Sequence, residues 1–320
     1  MVGAVLVYND TIIGEGFHRQ YGEAHAEVNC LASVKEENKH LIPDSILYVS
    51  LEPCAHTGRT PPCTHLILKH GIKKVVVGCS DPFKQVNGKG IHLLRSAGVE
   101  VQTGILEKEC IALNKRFFTF YTKHRPYIVL KWAQTSDQYI ANDDYSRLLI
   151  SNDLANRLVH KWRSEEASIL VGTNTARYDD PELTNRLWTG HNPVRLVVDM
   201  ELKLPSSLKL FGNGGRTIIF NTIVHEEKEN LLYYQVTHDV NLVHQIVNAL
   251  YHHNIQSVLV EGGSRLLQTF LDEGLWDEVR VITATAMHTS KGIRAPLALN
   301  SRLQDTILLG SNRIDCYHPS

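Results

Sequence analysis

Leu51-Glu52-Pro53-Cys54-Ala55-His56-Thr57-Gly58-Arg59-Thr60-Pro61-Pro62-Cys63 holds two cysteines with eight residues between them, downstream of His25-Ala26-Glu27. One imidazole and two thiolates, from His25, Cys54 and Cys63, can hold a zinc ion and leave its fourth position open. Glu27, two residues from the imidazole, is a carboxylate able to move protons at that position. The spacing suits strands that run into helices. Residues 2–8 are apolar and β-branched, Asn9-Asp10 is a turn signal, and residues 11–17 continue as a second strand. From His25 to about Val34 the apolar residues recur at helical spacing. At about 100° per residue, His25 and Glu27 in a regular helix would point about 200° apart. His25 must therefore sit at or just before the first turn if both face one site. Residues 46–51 read as a buried strand, with Pro53-Cys54 just past its end. Pro61-Pro62 suit the opening turn of a helix that runs to His70 and stops at Gly71. Cys63 then falls in that first turn, where free N–H groups and the helix dipole favour a thiolate.

An H-x-E…P-C…C order is the pattern of zinc-dependent base deaminases, although there the second half is spaced C-x-x-C. A closed structural zinc site would need a fourth ligand, for which His56 and His65 are the candidates, and would leave Glu27 without a role. Cys30, Cys79, Cys110 and Cys316 read as packing residues. The 51–63 loop, with Gly22-Glu23-Ala24-His25-Ala26-Glu27-Val28, Asp81-Pro82 and Gly88-Lys89-Gly90, resembles the riboflavin-biosynthesis pyrimidine deaminases. In that family a deaminase is often followed on the same chain by a reductase.

At 320 residues two domains of ordinary size are expected. The polar, basic stretch Tyr121-Thr122-Lys123-His124-Arg125-Pro126 interrupts the pattern, dividing residues 1–123 from 126–320. Strands and helices alternate on both sides, which argues an α/β layered architecture in each half. The second half resembles the family's dihydrofolate-reductase-like domain in Lys131-Trp132-Ala133-Gln134-Thr135-Ser136-Asp137, in Ile169-Leu170-Val171-Gly172-Thr173-Asn174-Thr175, and in Asp179-Asp180-Pro181-Glu182-Leu183-Thr184. Val258-Leu259-Val260-Glu261-Gly262-Gly263-Ser264 and Pro193-Val194-Arg195 with Asp199 complete it. On physical grounds alone, residues 258–260 are a short buried strand, Gly262-Gly263 a tight turn, and residues 264–271 a helix. Backbone N–H groups at such a helix start can hold a phosphate. Taken alone, the glycine pair reads as a plain connection, Asp179-Asp180-Pro181 as a turn, and Arg163 and Arg186 as surface residues or as a bidentate clamp on a phosphate. A G-x-G-x-x-G fingerprint is absent from the sequence, so a Rossmann domain is not supported.

The resemblance implies a cytidine-deaminase-like three-layer αβα domain followed by a dihydrofolate-reductase-like α/β domain, with Zn2+ and NADPH as cofactors. His25, Cys54 and Cys63 would bind zinc and Glu27 would carry protons. His18, His56 and Arg59 match positions near the deaminase substrate. In the reductase, Ala133, Leu149, Thr175, Asp179 and Gly263 match cofactor positions. Ser146, Arg163, Leu183, Arg186 and Glu261 match substrate positions, with Lys131, Asp179 and Glu261 nearest the chemistry. The implied substrate is 2,5-diamino-6-(5-phosphoribosylamino)pyrimidin-4(3H)-one, which is deaminated by hydrolysis before its ribosyl group is reduced to a ribityl chain. A homodimer through the reductase half is the family-level expectation.

Three departures from the family pattern carry consequences of their own. The chain begins Met1-Val2-Gly3, where the family has a preceding helix and a Pro-Asn-Pro turn, so an open apolar sheet face is expected. Gln138-Tyr139 replace a Gly-Lys pair, putting a residue that resists φ > 0 where glycine is usual. Leu148-Leu149 stand where a Trp lies beside the nicotinamide. Two other functions remain open at this level: a deaminase of another base with a lapsed reductase half, and a non-catalytic zinc-stabilised binding protein. With 33 basic and 34 acidic residues there is no positive excess for a nucleic acid backbone. No stretch reaches the length of a membrane span, and few cysteines in a long chain fit a reducing cytoplasm.

Overall fold

The computed structural model describes residues 1–20, 22–56, 61–83, 86–144, 146, 148–212 and 215–320. Two units separate, Met1–Lys123 and His124–Ser320. The first contains β1 (Gly3–Tyr8), β2 (Thr11–Phe17), α1 (Ala26–Ser33), β3 (Ile46–Leu51), α2 (Cys63–Lys69), β4 (Lys74–Cys79), α3 (Lys89–Ser96), β5 (Glu100–Thr103), α4 (Glu107–Leu113) and α5 (Lys115–Lys123). Its sheet runs β2-β1-β3-β4-β5. Asn9 and Asp10 both take positive φ (45° and 59°), which matches a two-residue hairpin turn to the twist of β1 and β2. Helices α1, α2 and α3 share one core with Ala4, Leu47, Val49, Val75 and Val77 of the sheet. Cys110 of α4 lies against Gly78, giving the three αβα layers.

Strand β3 is half-buried, not buried as its composition suggests: Leu47, Val49 and Leu51 face the core and Tyr48 is exposed. Tyr48 joins Val5, Val76, Ile105 and Leu106 around an open apolar cavity of about 920 Å³.

The second unit contains β6 (Tyr127–Thr135), β7 (Tyr139–Ala141), α6 (Asp153–Glu165), β8 (Ser168–Val171), α7 (Thr173–Asp179), β9 (Val194–Val198), β10 (Thr217–Asn221), β11 (Glu226–Lys228), β12 (Leu231–Gln235) and α8 (Leu242–His252). β13 (Ser257–Gly262), α9 (Ser264–Asp272), β14 (Glu278–Ala284), β15 (Ile293–Arg294), β16 (Ser301–Leu309) and β17 (Asn312–Pro319) complete it. Ten strands order as β11-β12-β10-β9-β8-β13-β6-β14-β17-β16. The run from β12 to β14 is parallel, and its strands read Ile-Leu-Val because they are covered on both faces. Strand β13 inserts between β8 and β6, which brings Glu261 beside Gly172 and Lys131. Arg195 and Asp199 are structural here. Buried Arg195 donates to the carbonyls of Gly212 and Gly215, and Asp199 accepts from the N–H groups of Lys203 and Leu204. Among the described residues, no helix is long and apolar enough to cross a membrane.

Candidate functional site

In the first unit, α1 reaches the site because β2 has no side chain in its way. A Cβ on Gly16 would lie 2.2 Å from the backbone nitrogen of Cys30, so only glycine allows this approach. His25 is the N-cap of α1, with extended φ −69° and ψ 165°, and Glu27 lies in the first turn, 3% exposed. That is the geometry the two-residue spacing demands. Cys54 follows β3, and Cys63 opens α2 with Pro62 as N-cap. Thr64 clamps the Cys54 carbonyl through its N–H and hydroxyl, both at 3.2 Å.

His25 Nδ1 is 3.2 Å from Cys63 Sγ and 3.5 Å from Cys54 Sγ, and the three donor atoms lie within 4.8 Å of one another. Tetrahedral zinc with its usual bond lengths needs sulfur and nitrogen about 3.5 Å apart, so the donor set fits the ion. No fourth donor joins the group among the described residues; His56 and His65 are both exposed, which argues against a closed structural site. The Cys54 thiol falls to about 4, chiefly because Cys63 and also His25 hydrogen-bond to its sulfur, and Cys63 is pushed up by that bond and by burial. The bond to Cys54 raises His25, and burial raises Glu27. Metal binding needs both sulfurs as thiolates and would displace the proton shared between them.

His18 stands edge-on to His25 with ring centroids 5.4 Å apart, its Nδ1 bonded to the Ala24 carbonyl. His56 is exposed, and Arg59 lies outside the described residues. Two groups went unrecognised as site residues in the sequence. Glu52, 4% exposed, accepts from the N–H groups of Asp81 (3.2 Å) and Gly88 (2.9 Å) on Oε2, and of Gly90 (2.9 Å) and Ile91 (3.3 Å) on Oε1. It ties the start of the zinc loop to the 81–91 segment, where a Cβ on Gly90 would strike the Pro53 oxygen at 1.9 Å. Asp81 is buried, and burial raises its carboxyl to about 6.

In the second unit a cavity of about 1060 Å³ opens along β6 and past the ends of β8 and β13. Ligands in open α/β sheets bind at such strand ends. Of the residues the resemblance points to, Lys131, Ala133, Leu149, Arg163 and Thr175 line it, as do Asp179, Leu183, Arg186, Glu261 and Gly263. Ser146 does not: it is exposed and bonded to Asn142 and Asp144. Arg163 is not the free phosphate clamp that its side chain suggested. Its fork is spent on Glu261, Nε to Oε1 at 2.8 Å and Nη2 to Oε2 at 2.7 Å, and Lys131 Nζ is 3.9 Å from the same carboxylate. Burial pushes the Glu261 pKa up, but Arg163 and Lys131 outweigh it and hold it at about 2.

The turns at Gly172 and Gly262-Gly263 lie side by side, with Gly172 N–H bonded to the Gly262 carbonyl at 2.8 Å. A Cβ on Gly172 would enter the space 3.6 Å from the Gly263 nitrogen, at the start of α9. Backbone bared in this way at a helix N-terminus fits the phosphates of a dinucleotide, so the cavity suits NADPH. Leu149 stands at the rim, 76% exposed. Gln138, expected to resist positive φ, adopts φ 66°. Its carbonyl receives the Ala295 N–H, while buried Tyr139 donates to the Ser290 carbonyl and carries Arg294 over its ring at 4.3 Å.

Residues 126–313 match the family described as RibD C-terminal domain, and residues 1–79 match the cytidine and deoxycytidylate deaminase zinc-binding region. The riboflavin biosynthesis protein RibD of Aquifex aeolicus is 42% identical over 289 residues, 88% of this chain and 80% of that protein. The RibD of Escherichia coli is 33% identical over 301 residues, 88% of this chain and 81% of that one. A crystal structure of a diaminohydroxyphosphoribosylaminopyrimidine deaminase/5-amino-6-(5-phosphoribosylamino)uracil reductase from Thermotoga maritima superimposes with a TM-score of 0.90 at 35% identity, covering 100% of this chain and 92% of that one.

Proposed function

The chain belongs to the RibD family of bifunctional riboflavin-biosynthesis proteins, and on that premise we propose that it deaminates 2,5-diamino-6-(5-phosphoribosylamino)pyrimidin-4(3H)-one in its first unit and reduces the product in its second. The observation that carries the reading is the triad of His25, Cys54 and Cys63 donors within 4.8 Å, with Glu27 in the adjoining helical turn, on one chain with the glycine-floored cavity. Zinc held by the triad supplies Lewis acidity, which makes water a nucleophile near neutral pH. Glu27 accepts the proton of the attacking water as the new C–O bond forms at the amino-bearing ring carbon. It passes that proton to the ring nitrogen, then takes the hydroxyl proton of the tetrahedral adduct and hands it to the amine, so the C–N bond breaks as the carbonyl forms and ammonia leaves. His18 and His56 are the substrate-side residues of this unit, and the family resemblance adds Arg59 to them.

In the second unit NADPH supplies the hydride that reduces ribosyl C1′. The Gly172 and Gly263 turns would hold the cofactor phosphates, and Ala133, Leu149, Thr175 and Asp179 would line the rest of the cofactor site. Lys131 is the proton donor to the sugar ring oxygen as the C1′–O bond opens, and Glu261, 3.9 Å away, aims it. Leu183 and Arg186 take the ribose phosphate side. Strand β16, exposed over most of its length with Leu303 and Leu308 in solvent, supports a homodimer through this unit, since an uncovered edge strand pairs readily. All six cysteines are unpaired, which supports a cytoplasmic location.

Mass spectrometry of the purified chain with the ribotide, with and without NADPH, tests the function. Deamination alone, then reduction once NADPH is added, is expected. Glu27→Gln should lower deamination about 10²–10⁴-fold while zinc content stays at the wild-type level, and Cys54→Ala should lose the zinc. Equal zinc in Cys54→Ala and wild type, or no deamination by the wild type, refutes the assignment.

A further inference from the structure

His160 belongs to none of the sequence motifs, yet it lines the cavity of the second unit at 5% exposure. It lies on α6, one turn before Arg163, and its Nδ1 accepts the backbone N–H of Arg186 at 2.9 Å. Arg163 makes a parallel tie, donating from Nη1 to the Thr184 carbonyl at 3.3 Å. The 183–186 turn thus hangs from α6 by two bonds. It needs them, because Leu183 is held at φ 53°, where a branched side chain is disfavoured. Arg186 in turn folds its guanidinium onto Glu182 and Thr184 at 2.9 and 2.8 Å, which points it along the cavity rim.

We propose that His160 is a positioning residue of the reductase site: its Nδ1 holds the Arg186 backbone, and with it the 183–186 turn, so that Arg186 meets the anionic end of the substrate. The inference rests on the reductase reading above and deepens it. For Nδ1 to accept, the imidazole must be neutral with its proton on Nε2. The surroundings enforce this. Burial first, then the Arg163 and Arg186 charges, lower its pKa to about 4, against an opposing pull from Glu261 and Asn185.

The test uses the full chain with His160→Leu and His160→Asn, because the asparagine side-chain oxygen stands where Nδ1 stands. His160→Leu should raise the KM for the deaminated ribotide about tenfold, the weight of one buried hydrogen bond. Its kcat and its KM for NADPH should stay within about twofold of wild type, and deamination should be unaffected. His160→Asn should restore the ribotide KM. Hydrogen exchange provides a readout independent of turnover: the peptide containing Arg186 should exchange faster in His160→Leu and at the wild-type rate in His160→Asn. An unchanged ribotide KM in His160→Leu, no rescue by His160→Asn, or unchanged exchange overturns the proposal. A wild-type chain that never oxidises NADPH with this ribotide refutes the function instead, and the exchange comparison then decides the role of His160 by itself.

Discussion

Replacing Glu52 by Gln changes one atom and should cost the first unit much of its stability. Four backbone N–H groups converge on the carboxylate, two on each oxygen, at 2.9–3.3 Å. Whichever way the amide is turned, its NH2 group confronts two of those donors. Each buried donor stranded in this way costs about 1–3 kcal/mol, and the two surviving bonds weaken because the acceptor has lost its charge. The sum is about 3–6 kcal/mol, a large part of the 5–15 kcal/mol that holds a typical domain together. Urea denaturation can isolate it, since all four tryptophans (Trp132, Trp162, Trp188 and Trp276) lie in the second unit. Tryptophan fluorescence follows that unit alone, while far-UV circular dichroism follows both. With urea slopes of about 1–3 kcal/mol per molar, the circular-dichroism transition of the first unit should move down by at least about 1 M, with the fluorescence transition as control. A first-unit midpoint that stays within about 0.3 M of wild type would refute the reasoning, because four well-directed bonds would then be energetically idle.

Two further outcomes follow from the second unit. Gln138→Gly should raise the thermal midpoint by about 1–4 °C, because releasing a left-handed side chain gains about 1–2 kcal/mol and glycine's extra chain entropy takes back part of it; calorimetry showing no rise would mean that φ 66° is unstrained here. Glu261→Gln should destabilise the unit by about 3–5 kcal/mol at neutral pH by stranding the Arg163 charge. The folded pKa of Glu261, about 2, lies below its ordinary 4.5, so its contribution is complete above pH 4.5 and disappears as pH falls towards 2. The gap between wild type and variant in urea unfolding should therefore narrow from pH 5 to pH 3, and a constant gap would contradict the pairing.

The deaminase half was readable to an unusual degree because its signals are local. Asn9-Asp10 turns a hairpin within four residues, His25 caps the helix that holds Glu27, and Cys54 and Cys63 sit where a strand ends and a helix begins. The two-residue spacing of His25 and Glu27 alone placed the imidazole outside the regular helix. The pairing of Arg163 was hidden for the opposite reason. Its partner Glu261 is 98 residues away, and nothing in either neighbourhood announces the pair.

By itself the sequence determined the family, and it placed the 2–17 hairpin, the helix after His25, the strand and helix on either side of the zinc loop, and the strand, turn and helix of residues 258–271. These depend on turns, caps and periodicities that act over a few residues. Only the tertiary structure decided that Glu52 gathers the 81–91 segment, that Glu261 occupies Arg163, that Ser146 falls outside the cavity and that His160 holds Arg186. Each of these depends on the order of strands in a sheet, as where β13 slips between β8 and β6. That order is set by the burial of whole faces and not by any one stretch of chain.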